Sequence, residues 1–219
     1  MKVKFFTDFE KDLQIIRHDY PQIRKIMNND FVKLLNFYYP ECKNFSQLHI
    51  VKFFKENKLS IMRRIKKSSK KLIKKWRSVE KEYFEKINKI SPWQEEEYFC
   101  HLSSSYICGG GYSYPRTIIV FPLSRHVNPL FTIIHELGHL HVISDSIKLR
   151  IEIPEKKQQE FYEIATNLLL SKIRLNKLKI YTAFPNKKIE TDFNRISKKI
   201  EQMDLSWYQI LLLLPDKLK

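Results

Sequence analysis

Of the 219 residues, 43% are hydrophobic and 13% aromatic, which excludes a disordered polymer and leaves room for a substantial core in one domain, or in one domain with a helical extension. Lys and Arg number 40 against 24 Asp and Glu, a formal net charge of +16, so the surface is either lysine-solvated or made to meet an anionic partner. The three cysteines, Cys42, Cys100 and Cys108, lack the dense spacing of a disulfide framework and read as reduced thiols.

The N-terminus places Asp8, Glu10, Lys11 and Asp12 where a signal peptide would need apolar residues, so a cytoplasmic (intracellular) protein is expected. To about Ile90 the pattern is helical: Phe9 to Met27, Phe31 to Tyr38 and Phe45 to Phe54, punctuated by Pro21 and Pro40. From Lys58 to Arg77 ten basic residues follow one another with no acidic residue between them. Ile61, Ile65, Leu72, Trp76, Val79, Tyr83 and Ile87 recur there at helical intervals, interrupted at Ser68 and Ser69, which predicts one long amphipathic basic helix. Its lysines are either solvated or a surface for non-specific nucleic acid or another anionic partner.

Ser91-Pro92-Trp93 ends that helix, and β-prone runs follow at Tyr98 to Leu102, Ser105 to Cys108 and Thr117 to Phe121. Gly109-Gly110-Gly111 between them reads as a tight turn or a substrate-facing loop. Asn128-Pro129 then opens a helix to about Ser144, and Ile153-Pro154 a second one to about Ile173. The C-terminal Trp207, Tyr208, Ile210, Leu211 and Leu214 make an apolar helix face that should dock on the core. The run from Ile210 to Leu214 stops at Pro215, far short of the ~20 residues of a transmembrane helix.

The first of the late helices carries His135-Glu136-Leu137-Gly138-His139. Positions i and i+4 of a helix lie on one face, so both imidazoles can reach one ion, and Glu136 can act on a water beside it as a general base. A catalytic zinc takes three protein ligands. His141 falls on the opposite side of the helix and no histidine follows it, so the third ligand is expected from Glu163, with Glu160 one turn earlier as the alternative. Asn167, a turn beyond Glu163, is a candidate to support a ligand imidazole from the second helix.

His-Glu-Leu-Gly-His followed by a helix reading Glu-x-x-Thr-Asn resembles the gluzincin zinc metallopeptidases, most of all the small intracellular group that includes the phage-repressor-cleaving and radiation-response regulator peptidases. The resemblance covers roughly Thr117 to Ile173, and departs from the group at Thr166, where alanine is more usual, and in the basic N-terminal region. It implies an α+β catalytic domain with one Zn²⁺ and an edge strand, matched by Thr117, Ile118, Ile119, Val120 and Phe121, on which an extended protein or peptide substrate lies. The expected fold is therefore mainly helical α+β, with a small antiparallel or mixed sheet beside the HExxH helix. The expected organisation is a helical region at residues 1–95, a peptidase domain at 96–180 and a C-terminal helical extension at 181–219.

The expected activity is peptide hydrolysis, with Glu136 activating a zinc-bound water and Tyr112, Tyr114, Tyr162 or Tyr181 stabilising the oxyanion. The alternative is a nucleic-acid-associated regulator with a sensory or inactive zinc domain. Cys100, His101 and Cys108 are a weaker candidate for a second metal site, since strand positions account for them equally well, and Cys108 is also a candidate thiol cap on the zinc.

Overall fold

The computed structural model describes residues 1–21, 29–92, 95–107, 109–173, 175 and 186–218. Its elements are β1 (Lys2–Phe6), α1 (Phe9–His18), α2 (Asn29–Tyr38), α3 (Gln47–Glu56), α4 (Lys58–Arg77), α5 (Glu80–Ile90), β2 (Glu97–Leu102), β3 (Gly110–Ser113), β4 (Thr117–Val120), α6 (Pro129–Lys148), α7 (Glu155–Ser171), α8 (Lys187–Glu201) and α9 (Trp207–Lys217). The architecture is mainly helical α+β around one mixed sheet of order β1-β2-β4-β3. β1, β2 and β4 run parallel, and β3 returns antiparallel to β4.

The sheet is covered on both faces. Val3, Tyr98, Cys100, Leu102, Ile118 and Val120 share a core with α5, α6, α7, α8 and α9. Ile119, Phe121 and Ile107 belong to or pack on a second core built from α1, α2 and α3. Successive strand side chains point to opposite faces, so one four-residue strand feeds both cores. Helix α4 spans the two, with Ile61 and Ile65 in one and Leu72 and Trp76 in the other. The serine gap marks the crossing: Ser69 is buried between the clusters and Ser68 Oγ donates to the Pro122 carbonyl at 2.6 Å.

Several elements differ from the local pattern. β1 lies in a region that reads as helical, and its strand state rests on Val3 pairing with Tyr98, a partner far along the chain. The free side of β1 is protected by side chains: Val3 N–H donates to Glu80, and its carbonyl accepts from Arg77. The single basic helix is two helices, divided at Ser78 and Val79, where Ser78 Oγ donates to the Lys75 carbonyl and Val79 N–H donates to the Trp76 carbonyl. Ser105 to Ile107 forms bends and a turn instead of a strand, because its hydroxyls and amides serve a local network; Cys108 lies outside the described residues. The strand near this position is β3, formed by Gly110–Ser113 of the glycine run itself.

β4, expected at an edge, is interior, paired on one side with β2 and on the other with β3. The edge beside α6 is β3. Helix α6 starts where Asn128 accepts the Leu130 N–H and Pro129 occupies the first turn, and it is buried on all sides from Leu130 to Val142, the pattern of a central helix. Helix α9 docks through Trp207, Ile210, Leu211 and Leu214. Residues from all three expected regions thus share one core.

Candidate metal centre

α6 and α7 approach closely because Gly138 has no side chain. A Cβ there would stand 3.0 Å from Thr166 Cγ2, so α7 lies directly on the HELGH turn. This brings Glu163 to the two histidines, with Oε2 3.4 Å from His135 Nε2 and Oε1 3.5 Å from His139 Nε2. The two Nε2 atoms are 3.1 Å apart. A tetrahedral ion with bonds of about 2.1 Å has donor–donor edges of about 3.4 Å. The N–N separation and the two N–O separations, each to a different carboxylate oxygen, are of that size, and one ligand atom from each of His135, His139 and Glu163 lies within 4.8 Å of the others, so the three could hold a metal ion.

Glu160 takes a different role. Its carboxylate ion-pairs with Lys157 at 3.3 Å and Lys188 at 3.1 Å, joining α7 to α8. His141 faces away, as the helix geometry requires, with Nδ1 3.2 Å from Ser91 Oγ, and burial lowers its pKa to about 3. Asn167 was the expected support for a ligand imidazole, but Asn167 Nδ2 donates to the Glu163 carbonyl one turn back. The imidazole contact is made by Thr166, whose Oγ1 is 3.0 Å from His139 Nδ1. With Nδ1–H donating to that oxygen, the Nε2 lone pair of His139 is free for a metal. His135 Nδ1 is buried and unpartnered among the described residues.

The electrostatics suit a cation. Burial would raise the Glu163 carboxyl, but hydrogen bonds from both imidazoles hold it at about 2. Burial opposes charge on both histidines. At His135 the Glu163 hydrogen bond and the charges of Glu136 and Glu163 outweigh it and raise the pKa. At His139 burial prevails, helped by His135, and the pKa falls. Two nitrogens 3.1 Å apart cannot both hold a proton between them, which is why the directions oppose. Glu136, beside the ligands, is pushed up to about 7, chiefly by burial.

β3 runs across this site. A Cβ on Gly110 would meet Thr132 Cγ2 at 2.2 Å and Glu136 Oε1 at 2.7 Å, so only glycine allows the strand to lie this close to the carboxylate. Two residues on, the Tyr112 ring stacks on His139 at a centroid distance of 4.6 Å. Burial and the nearby Glu136 and Glu163 push its hydroxyl up to about 12, which keeps it a hydrogen-bond donor at neutral pH. Tyr114 lies exposed in the turn after β3, Tyr162 packs on Phe161, and Tyr181 is outside the described residues. Gly110, Tyr112 and Thr166 are the site residues that helix spacing could not single out, although the glycine run and the i+3 position after Glu163 were visible. Cys100 is a buried free thiol and His101 stacks on Phe6 beside Asp12.

Comparisons with known proteins returned no match: no family model fits the chain, and neither a curated protein nor a solved structure is significantly similar to it.

Proposed function

We propose that the chain is a zinc-dependent peptidase that cleaves a peptide bond within an extended segment of a protein or peptide substrate. The observation that carries this reading is the Glu163 carboxylate set against both imidazoles of His135 and His139, with Glu136 buried beside them under β3, the last strand of the sheet among the described residues. Two imidazoles and one carboxylate converging on one point are the donor set of a catalytic zinc that keeps an open position.

His135, His139 and Glu163 would hold the ion, which would polarise the scissile carbonyl and acidify water towards a pKa of about 7. Glu136 takes the proton of the attacking water and returns it to the leaving amine nitrogen, a role suited to a carboxyl that burial places near neutral pH. Tyr112, whose ring stacks on His139, is the candidate donor to the developing oxyanion. The outer edge of β3 offers main-chain groups to which a peptide can add as a further strand, which moves the proposed substrate strand from Thr117–Phe121 to Gly110–Ser113.

The test compares wild type with Glu136→Gln in metal content, thermal unfolding and cleavage of a proteome-derived peptide library. Zinc near one per chain is expected in both, with unchanged folding and a loss of cleavage of about 10²–10⁴-fold in the variant. Equal cleavage by the two would sink the mechanism. Folded, zinc-loaded wild type that cleaves nothing would instead favour a sensory or inactive metal domain.

A further inference from the structure

The basic residues of α4 are conspicuous for what they do not pair with. Arg77, at the end of α4, pairs with Glu80, and Lys81, Lys86 and Lys52 on neighbouring helices each face a glutamate. From Lys58 to Lys75 no cation of α4 makes an ion pair among the described residues. Helical spacing sorts them onto two flanks, with Arg64, Lys67 and Lys71 on one and Arg63, Lys66 and Lys70 on the other.

The two flanks border different surfaces. The second overlooks a groove walled by Phe5, Phe6, Leu59, Met62 and Ile73. The first forms one wall of a cavity of about 600 Å³, whose other wall is the β4–α6 connection with Arg125 and whose end is closed by Phe37 and Tyr38. Among the described residues no carboxylate lines this cavity. Its frame is fixed: Arg64 Nη2 donates to the Tyr38 carbonyl at 2.8 Å, the Arg125 main-chain N–H donates to Tyr38 Oη at 2.9 Å, and Ser68 ties α4 to Pro122. The Phe37 ring is 49% exposed at the cavity, with the Arg125 guanidinium over it at 5.8 Å.

We propose that this cavity binds the phosphates of a nucleotide, with Arg64, Lys67, Lys71 and Arg125 around the phosphoryl oxygens and the base against Phe37. Four like charges facing one concavity repel until an anion joins them, and two of them are guanidiniums, which hold phosphate by paired hydrogen bonds. A volume of about 600 Å³ falls within the range of small-ligand sites. The half-exposed Phe37 ring, which the His126 and Tyr38 rings also contact, offers a base an aromatic surface once Arg125 turns from it to the phosphates, a surface that simple phosphate binding would not need. The ligand chemistry is shared by a free nucleotide and by the nucleotides of a single strand.

The experiment titrates the full chain with ATP, with tripolyphosphate and with a labelled oligothymidylate, and reads binding alone, so it stands apart from any hydrolysis. Lys67→Ala/Lys71→Ala is compared with Lys66→Ala/Lys70→Ala, which removes equal charge from the other flank. The first pair should weaken ATP binding about tenfold or more, and the second by no more than about threefold. Phe37→Ala should weaken ATP but leave tripolyphosphate unchanged. ATP that competes with the oligonucleotide marks a strand as a ligand of this cavity, whereas ATP binding without oligonucleotide binding marks a free nucleotide; either agrees with the proposal. Equal losses from both double variants would reduce the site to diffuse charge and overturn it, as would the absence of saturable ATP binding.

Discussion

At Gly110 a single methyl group decides whether β3 can lie on α6. Gly110→Ala would drive a carbon into Thr132 and the Glu136 carboxylate, and overpacking of that kind costs about 1–3 kcal/mol. The expected result is a lower midpoint of thermal unfolding together with loss of cleavage, measured on the same preparation. Thr166 tests a subtler contact. Its hydroxyl fixes the His139 ring through Nδ1, so Thr166→Ala should weaken zinc about 10–100-fold in chelator competition while the chain stays folded. An unchanged zinc affinity would mean that helix packing alone orients the ring.

Among the elements, the connection between β2 and β3 depends on α1. Asp12 is buried and accepts from Ser103 Oγ, Ser104 N–H and Ser104 Oγ, while Tyr20 and Tyr39 donate to the Ser105 and Ser104 carbonyls. The N-terminal helices thereby hold the loop that delivers Gly110 and Tyr112 to the site. Asp12→Ala would strand several buried donors, with an expected loss of about 3 kcal/mol. Urea unfolding should show a lower midpoint at unchanged slope, and an effect below about 0.5 kcal/mol would show that the loop holds itself.

Across the whole molecule, Asp145 joins three elements: its Oδ2 accepts from Ser91 at the end of α5 and from Trp207 in α9, and Asp145 itself lies on α6. Burial raises its carboxyl above the ordinary 3.8, with the hydrogen bonds and Lys148 opposing. An acid raised in the folded state holds its proton when the unfolded chain has lost it, so this group makes stability fall as pH rises from about 4 through the folded value. The stability of wild type relative to Asp145→Asn should therefore be greater at pH 4 than at pH 7 in parallel urea titrations. Metal removal acts on the same scale. Zinc at about 1,000 times its dissociation constant should add about 4 kcal/mol, read as a fall in unfolding temperature on chelation. His135→Ala should abolish that difference.

What the sequence by itself determined is local chemistry. His135, Glu136 and His139 on one helix, the Asn128-Pro129 start, the exclusion of His141 and the helical bulk of the chain follow from the 3.6-residue period and from capping, which act over a single turn. Glu163 was legible as a candidate because few carboxylates follow at helical spacing; only the close approach at Gly138 set it against both imidazoles in preference to Glu160. The tertiary structure alone decided the strand order, with β1 added to the sheet and β3 displacing β4 from the edge. It also decided that Thr166 touches the imidazole where Asn167 was expected. These outcomes depend on pairing and packing between residues distant in sequence, where no local period carries information.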